Sequence, residues 1–414
     1  MRIKLKMNYY RKNTFVLIKN NFAYVPALLM DISLTCTYTS IAFHAKYLGI
    51  SSTILGAIIA SGGAFFVFLS IPFGRLSDRI GRTRMLYTAC ILVGFVNLLI
   101  PFFYQDALSI ALMVPIIGIS QALFWPIYEA WFAERVDGGD LLRRIRTFNL
   151  FWTAGVTLGP FIAGNIYEMN HPLPFYITVT ASVINLIIII SQSNISLRLG
   201  LSRKSRIETN KDVNSKSEYA ESMDETVSIS PETRRTYLYI AWIANFASWF
   251  TLGILRNLAP KLMLQMGIRE RTFGNLMLVN GLSQLLMFLF LGTPYPRRWH
   301  YKLSPLLAFQ AVGVIAFLGI WSVTNIPLWA LAFFAIGTTS GMTYFCSIYY
   351  SLHGHIDKGA KSGFHEAILG SGALLGPFIG GISADLLGLK SPYFLSAVVI
   401  VISMIAQKCV IRNT

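Results

Sequence analysis

The stretch Gly74-Arg75-Leu76-Ser77-Asp78-Arg79-Ile80-Gly81-Arg82-Thr83-Arg84-Met85-Leu86 decides the fold of this chain. It separates two apolar runs, 54–73 and 85–103, each of about 20 residues, the length that crosses the hydrocarbon core of a bilayer. Short loops rich in Lys and Arg lie on the cytoplasmic side of membrane proteins. The stretch therefore predicts a tight cytoplasmic loop in which Gly74 and Gly81 let the backbone turn. Asp78 is expected to pair locally or to face a helix N-terminus.

The order of glycines and charges in this stretch resembles the loop between the second and third helices of major facilitator superfamily transporters. The matching positions are Gly74, Leu76, Asp78, Arg79, Gly81, Arg82 and Leu86, and Thr83 stands where lysine is usual. The resemblance implies a cytoplasmic latch between two halves of the protein, with Asp78 facing the start of a helix in the second half. The arginines would bridge to acids at the end of the fourth helix, for which Glu134 is the nearest candidate. The arginines alone are equally typical of an ordinary positive-inside loop.

The composition is that of an integral membrane protein. Of 414 residues, 54% are hydrophobic and only 13% are charged, whereas soluble domains carry about 25% charged residues. The net charge of +16 is confined to alternate loops, because 29 of the 35 Lys and Arg residues fall on one side of the predicted topology. This asymmetry predicts that both termini are cytoplasmic, and it argues against nucleic acid as the partner. We expect a multi-pass protein of the cell membrane, surrounded by lipid.

Apolar runs and one polar segment predict how the chain is divided. A basic arm, 1–21, precedes an N-terminal half, 22–192, and a C-terminal half occupies 237–414. The segment 193–236 between the halves is polar, serine-rich and charged, which predicts a flexible cytoplasmic linker. The predicted fold is an all-α membrane bundle of twelve helices in two pseudo-symmetric halves of six.

An internal repeat indicates that the two halves are related. The string 155–164 reads GVTLGPFIAG, and the string 372–381, at an offset of 217, reads GALLGPFIGG. Each predicts a helix that packs closely through glycine and bends at proline, suited to a gate between the halves. The predicted bends are Gly155, Gly159, Pro160, Gly372, Gly376 and Pro377. The second string is also similar to an antiporter pattern of the superfamily, which there belongs to the fifth helix, so antiport stays a suggestion.

Three charged residues fall inside predicted spans, where a charge costs about 2.5–3.5 kcal/mol and therefore faces a cavity or a partner. Asp31 is a candidate proton or substrate site, with a structural hydrogen bond as the alternative. Glu129 is a candidate proton carrier or a partner of the basic loop. Arg256 cannot lose its proton, so it requires either an anionic ligand or a protein carboxylate.

His365 and Glu366 begin the eleventh predicted span. They are a candidate protonation switch, although Glu366 also suits a helix N-terminus without any such role. The superfamily resemblance implies that helices one, four, seven and ten line a central cavity. The complete set of candidate cavity residues is Asp31, Tyr38, Trp125, Tyr128, Glu129, Trp249, Arg256, Tyr349, Tyr350, His365 and Glu366.

These observations predict secondary transport of a small organic solute by alternating access. Proton coupling is favoured because acids occur in the spans without a sodium-site signature. Facilitated uniport is the alternative mechanism, and a non-transporting sensor or scaffold on the same fold is the alternative class. An enzyme is disfavoured, and no cofactor or metal is expected, because the sequence has no nucleophile elbow, phosphate loop or His/Cys cluster. The sequence leaves the oligomeric state open and is compatible with a monomer.

Overall fold

A computed structural model describes residues 22–133, 141–198, 229–293, 295–352 and 358–412. Within these ranges the chain forms twelve long helices. They are α1 (Val25–Tyr47), α2 (Ser52–Ile80), α3 (Arg82–Phe103), α4 (Ala107–Ala133), α5 (Leu141–Tyr167), α6 (Leu173–Arg198), α7 (Pro231–Gln265), α8 (Glu270–Leu291), α9 (Leu303–Ser322), α10 (Ile326–Leu352), α11 (Lys358–Leu387) and α12 (Ser391–Arg412). The basic arm, most of the predicted linker and Glu134 lie outside the described residues.

Eleven of the described helices are long and apolar enough to cross a membrane. The exception is α5, whose hydropathy is lowered by Asn149, Thr153, Thr157 and Asn165. This helix packs between α1 and α8, so much of its surface faces protein. The prediction of an all-α membrane fold with twelve helices is confirmed.

Close helix contacts inside each half are made through the two glycine strings. A Cβ atom on Gly155 would lie 2.7 Å from the Cβ of Asp31 in α1. At the equivalent place in the second half, a Cβ on Gly372 would lie 2.9 Å from the backbone nitrogen of Phe250 in α7. Real Cβ atoms do not approach other atoms this closely, so only glycine lets these backbones touch. The glycines therefore set the spacing between α1 and α5, and between α7 and α11.

The same repeat builds the interface between the halves. A Cβ on Gly164 of α5 would lie 2.8 Å from the Cα of Gly274 in α8. A Cβ on Gly56 of α2 would lie 2.9 Å from the carbonyl carbon of Pro377 in α11. Because Gly56 and Gly274 are related by the repeat, the α2–α11 and α5–α8 contacts are pseudo-symmetric counterparts. The two halves meet along both.

The local structure of the basic stretch differs from the prediction. Gly74 does not turn the backbone, because α2 continues through it to Ile80. Only Gly81 breaks the helix, with a φ of 100° that a side chain would disfavour. Glycine is tolerated inside a helix at a cost of about 1 kcal/mol, so a glycine flanked by helix-forming residues need not end it. The turn between α2 and α3 is therefore a single residue.

The helices on either side of the predicted linker are longer than the apolar runs suggested. Helix α6 extends to Arg198, and α7 begins at Pro231 after Ser230 accepts a hydrogen bond from the backbone nitrogen of Thr233. Ser230 therefore caps the N-terminus of α7, and Pro231 suits the first helical position. Polar residues at 193–198 and 231–236 thus form helix ends beyond the apolar part of each span.

Candidate functional site

A charged pair lies at the interface of the two halves. Asp31 on α1 and Arg256 on α7 are 7% and 9% exposed, and the two charges attract each other. Within the described part of the chain, no hydrogen bond reaches the Oδ2 atom of Asp31 or the Nε atom of Arg256. The structure therefore brings together two charged residues that the sequence analysis singled out separately. It leaves hydrogen-bonding atoms of both without a protein partner.

The backbone around Arg256 is irregular for a reason visible in the sequence. Residues Ile254–Leu258 form a single π-helical turn inside α7. Pro260 has no N–H, so it cannot donate the α-helical hydrogen bond to the carbonyl group of Arg256. A π-helical turn is one way in which a helix accommodates such a loss, and such turns occur frequently at functional sites. The proline thereby sets the position of the arginine.

Two neighbours orient the guanidinium group of Arg256. Its Nη2 atom lies 3.4 Å from the Oε1 atom of Gln284 on α8, and its Cζ atom lies 5.4 Å from the centre of the Trp249 ring. The second distance is that of a cation–π contact. Gln284 is buried, and its Nε2 atom has no hydrogen-bond partner in the described structure. The arginine is therefore held on one side by an aromatic face and on the other by a single weak hydrogen bond.

Aromatic rings from both halves pack next to Trp249, the ring that contacts Arg256. Trp152 on α5 lies 5.2 Å from Tyr344 on α10 and 6.4 Å from Trp249, measured between ring centres. Phe288 on α8 lies 6.3 Å from Trp152 and 5.7 Å from Tyr344. These separations are typical of packed aromatic pairs. The rings form an apolar wall that crosses the interface between the halves.

A second group of acids lies near Tyr344. Glu129 on α4 and Glu366 on α11 repel each other, and both act electrostatically on Tyr344, as does Asp31. His365 is fully buried, and its Nδ1 atom lies 2.7 Å from the hydroxyl oxygen of Ser347. Its Nε2 atom is 3.9 Å from the Oε1 atom of Glu366. Two carboxylates from opposite halves therefore interact electrostatically, one of them beside a histidine.

Several candidate cavity residues lie elsewhere. Tyr128 is fully buried and donates a hydrogen bond to the carbonyl oxygen of Ala23, so it packs inside the N-terminal half. Tyr350 accepts a hydrogen bond from the backbone nitrogen of Tyr301 at 2.9 Å, and Tyr349 lies beside His300. These three tyrosines are bound into the packing of their own halves. Their aromatic rings fit apolar packing as well as a cavity, and residue type alone does not distinguish the two.

Tyr38 and Trp125 also make contacts within the N-terminal half. The hydroxyl oxygen of Tyr38 accepts a hydrogen bond of 2.8 Å from Gln121, and Trp125 packs edge-on against Phe124 at 5.3 Å. The candidate cavity residues that come together at the interface are Asp31, Glu129, Trp249, Arg256, His365 and Glu366. Sequence reasoning missed Trp152, Gln284 and Tyr344. For Gln284, the polar position inside an apolar span was an available signal.

A polar network joins the halves at one membrane face. We call this the α1–α2 face, the face at which α1, α5, α7 and α11 end. The carboxylate of Asp385 on α11 accepts hydrogen bonds from the backbone nitrogens of Ser52 at 2.9 Å and Thr53 at 2.7 Å. The Nζ atom of Lys261 on α7 donates to the hydroxyl oxygen of Ser52 at 2.9 Å. These contacts bind the start of α2 to the C-terminal half.

Two further contacts cross the interface on the α5–α8 side of the same face. The hydroxyl group of Tyr47 donates to the Oε1 atom of Glu270 at 2.7 Å. Arg269 lies 4.0 Å from Glu168, and both side chains are at least 37% exposed. Glu168 and Asp385 are related by the repeat, at its offset of 217. The α1–α2 face is therefore closed by equivalent acids at two places, although Asp385 makes the shorter contacts.

The predicted latch residues lie at the opposite face, where α2 meets α3. Asp78 forms an ion pair of 3.1 Å with Arg82, and its side chain is 63% exposed. The pair is local, which was one of the two interactions expected for Asp78. Glu134 is outside the described residues, so a bridge from the arginines to it stays a prediction. Among the described residues no group of three His, Cys, Asp or Glu side chains could hold a metal ion.

A protein-family model described as Major Facilitator Superfamily matches residues 24–361. The chain is 33% identical to the uncharacterized MFS-type transporter MJ1317 of Methanocaldococcus jannaschii over 129 residues, which are 30% of this chain and 31% of that protein. It is 26% identical to the uncharacterized MFS-type transporter YcaD of Escherichia coli over 169 residues, which are 39% of this chain and 42% of that protein. The matched regions thus span less than half of these curated relatives.

Solved structures with a similar fold cover nearly the whole chain. The nucleoside transporter NupG superposes with a TM-score of 0.66 at 11% identity, over 95% of this chain and 99% of that one. A bacterial homologue of the human lysosomal transporter Spinster, in an inward-facing and occupied conformation, gives 0.66 at 12% identity over 97% of both chains. At such low identity the likeness shows the fold alone.

Proposed function

We propose that this chain, which belongs to the major facilitator superfamily, carries a small organic solute across a membrane by alternating access. The observation that carries the proposal is the pair formed by Asp31 and Arg256 at the interface of the halves, with buried hydrogen-bonding atoms unpartnered. Burying a hydrogen-bonding atom without a partner costs free energy. Removing one member of a buried ion pair is also costly, because the other charge is then left without compensation. A solute that enters between the halves would supply the missing contacts.

Alternating access requires that the halves separate at one face while they close at the other. At the α1–α2 face, the contacts of Asp385 and Lys261 with Ser52 hold the halves together. We infer that these contacts open when the opposite face closes. The basic stretch from Gly74 to Leu86 at that opposite face is the proposed latch for the second state. We place the basic stretch on the cytoplasmic side and the α1–α2 face on the exterior, and the excess of Lys and Arg in the loops on that side supports this orientation.

We also propose that protons drive the cycle. Glu129 and Glu366 come from opposite halves, and their like charges repel when both are ionised. Protonation of either carboxylate would remove that repulsion, whereas loss of the proton would favour separation of the halves. The protonation state of the acids would therefore couple to the rocking of the halves. We assign no enzymatic step to these residues.

The test is uptake into proteoliposomes that contain the purified chain and an internal pH-sensitive dye. A panel of labelled solutes is added under an imposed proton gradient, with empty liposomes as the reference. We expect one class of solute to enter and to change the internal pH. In Glu129→Gln the pH change should be lost, and in Asp106→Asn, an exposed acid that caps α4 within the N-terminal half, it should persist.

Each other result has a defined meaning. Solute entry without a pH change would refute proton coupling and leave a facilitated uniporter. A pH change that survives in both Glu129→Gln and Glu366→Gln would remove these acids as carriers. Absence of entry for every solute, with the chain correctly inserted, would refute transport and favour a sensor or scaffold.

A further inference from the structure

We infer that the site takes a zwitterion, a solute that carries an amine and a carboxylate on neighbouring carbons, with an apolar or aromatic side group. This site would bind the solute of the proposed function, and that the solute is also transported rests on the proposed function. It is carried by Asp31 and Arg256, which lie at the same interface on opposite halves. The Oδ2 atom of Asp31 and the Nε atom of Arg256 have no hydrogen-bond partner in the described structure.

The separation of the two charges is the first argument. Asp31 and Arg256 attract each other but form no ion pair within 4.0 Å in the described structure, although both side chains are more than nine-tenths buried. A pair that served only to neutralise itself gains most by direct contact, since buried pairs offset their desolvation only with good geometry. The unpartnered Oδ2 and Nε atoms instead leave an acceptor on one half and a donor on the other without a protein partner.

The two opposite charges also restrict the charge of the solute. A solute with only a carboxylate would pair with Arg256 while Asp31 repelled it. A solute with only an amine would pair with Asp31 while Arg256 repelled it. A zwitterion satisfies both, because its ammonium group donates to the carboxylate and its carboxylate accepts from the guanidinium group. No net charge is then added to the interface.

The aromatic rings next to Arg256 suit an apolar side group on the solute. Trp249 lies under the guanidinium group, and Trp152 and Tyr344 continue the aromatic wall across the interface. Ligand pockets bury the apolar part of a ligand against apolar side chains and orient its polar part through a few specific hydrogen bonds. The side group of the zwitterion would pack against these rings. Gln284, with a free Nε2 donor, lies where it can reach the solute carboxylate beside Arg256.

Three small probes that share a phenyl ring and differ in the charged groups they carry test the inference. L-phenylalanine has both groups, hydrocinnamate lacks the ammonium group, and phenethylamine lacks the carboxylate. Binding to the purified full chain is measured by equilibrium dialysis and by tryptophan fluorescence, neither of which requires transport. We expect L-phenylalanine to bind more tightly than either analogue by about 10- to 100-fold, the range for leaving one buried polar partner unpaired.

Variants give a crossover that a merely structural pair would not produce. In Asp31→Asn, L-phenylalanine should bind more weakly and hydrocinnamate more tightly, because the repelling carboxylate is gone. In Arg256→Gln, phenethylamine should bind more tightly, because the guanidinium group that repels its ammonium group is gone. Thr37→Val is the matched control on α1, because its hydroxyl group donates to Asn97 at 2.6 Å inside the N-terminal half. It should alter thermal stability without changing the order of the probes.

The outcomes separate this inference from the proposed function. Equal binding of all three probes, or binding of none, would overturn the zwitterion site. Variants that only lower the melting temperature and keep the order of the probes would make the pair structural and overturn it as well. Binding of L-phenylalanine without its uptake into proteoliposomes would support the site and refute transport of that ligand. Uptake of another solute while L-phenylalanine does not bind would refute the inference and leave the proposed function standing.

Discussion

Replacing Asp385 with asparagine should open the α1–α2 face. This carboxylate joins the halves because it accepts two backbone hydrogen bonds, from Ser52 at 2.9 Å and Thr53 at 2.7 Å, at the N-terminus of α2. A negative charge at that position also interacts favourably with the helix dipole. An amide keeps the size of the side chain but removes its charge, and only one of its two groups accepts hydrogen bonds. The variant therefore weakens the closed state without removing packing.

The expected effect follows from the geometry. A hydrogen bond to a charged group contributes about 1.5–3 kcal/mol when it is buried, and less when solvent reaches it. Asp385 is exposed, so we expect the two bonds and the lost attraction to Lys261 to contribute about 1–2 kcal/mol together. That energy changes the ratio of closed to open molecules by about 5- to 30-fold.

Electron–electron double resonance measures the distance distribution between two spin labels in lipid nanodiscs, and the populations in that distribution give the ratio of closed to open molecules. Met169 after α5 and Leu387 at the end of α11 are 75% and 79% exposed, and each belongs to a different half at the α1–α2 face. Labels there report the separation of the halves. The exposed Cys409 is first replaced by serine, because it would also be labelled, whereas the other cysteines are buried. Asp385→Asn should increase the population at long distance.

Asp106→Asn is the control for that experiment. At the same face, Asp106 accepts hydrogen bonds from the hydroxyl group of Ser109 and from the backbone nitrogens of Ser109 and Leu108, and these bonds lower the pKa of its carboxyl group. All three residues belong to the N-terminal half, so the cap does not bridge the interface. The control should leave the distance distribution unchanged. An unchanged distribution in Asp385→Asn, or an equal shift in both variants, would show that this contact does not hold the face closed.

Overpacking at the interface of the halves should weaken the closed state. Gly281→Val should destabilise it by about 1–3 kcal/mol, because a Cβ atom at Gly281 would lie 2.5 Å from the Cβ of Thr157 in the other half. Melting curves and the label distances should both shift. Gly319→Val, with open space around the added side chain, should change neither. Asp78→Asn should slow solute uptake in proteoliposomes but not change the melting temperature, because an exposed ion pair contributes about 0–1 kcal/mol. Normal uptake in that variant would remove Asp78 from the latch.

The architecture could be predicted from the sequence because its signals are local. Apolar runs of spanning length and the repeated glycine–proline strings each lie within a short stretch, and the structure confirms the twelve helices. The charge asymmetry predicts the orientation in the same way, although the orientation stays a prediction. The turn at Gly74 was wrong because a glycine permits a helix as well as a turn. Only Gly81, with its positive φ, needed the freedom that both glycines offered.

The site was less accessible to sequence reasoning because its contacts join distant parts of the chain. Asp31 and Arg256 were recognised separately as charges inside spans, yet nothing local indicated that they face each other. The same holds for Glu129 and Glu366. For Tyr128, position on a helical face does not reveal whether the neighbouring surface belongs to a cavity or to another helix. Contacts between residues that are far apart in sequence depend on the packing of the helices.

The number of helices in each half has a consequence for how such a chain arises. Six is even, so each half begins and ends on the same side of the membrane, and a second copy joined in tandem inserts in the same direction as the first. An odd number would have inverted the copy. The repeat axis therefore runs along the membrane normal. The contact of Gly56 with Pro377 and its repeat counterpart, the contact of Gly274 with Pro160, then fall at the same depth. A single ancestral unit could make them by pairing with itself, before any fusion of the two copies.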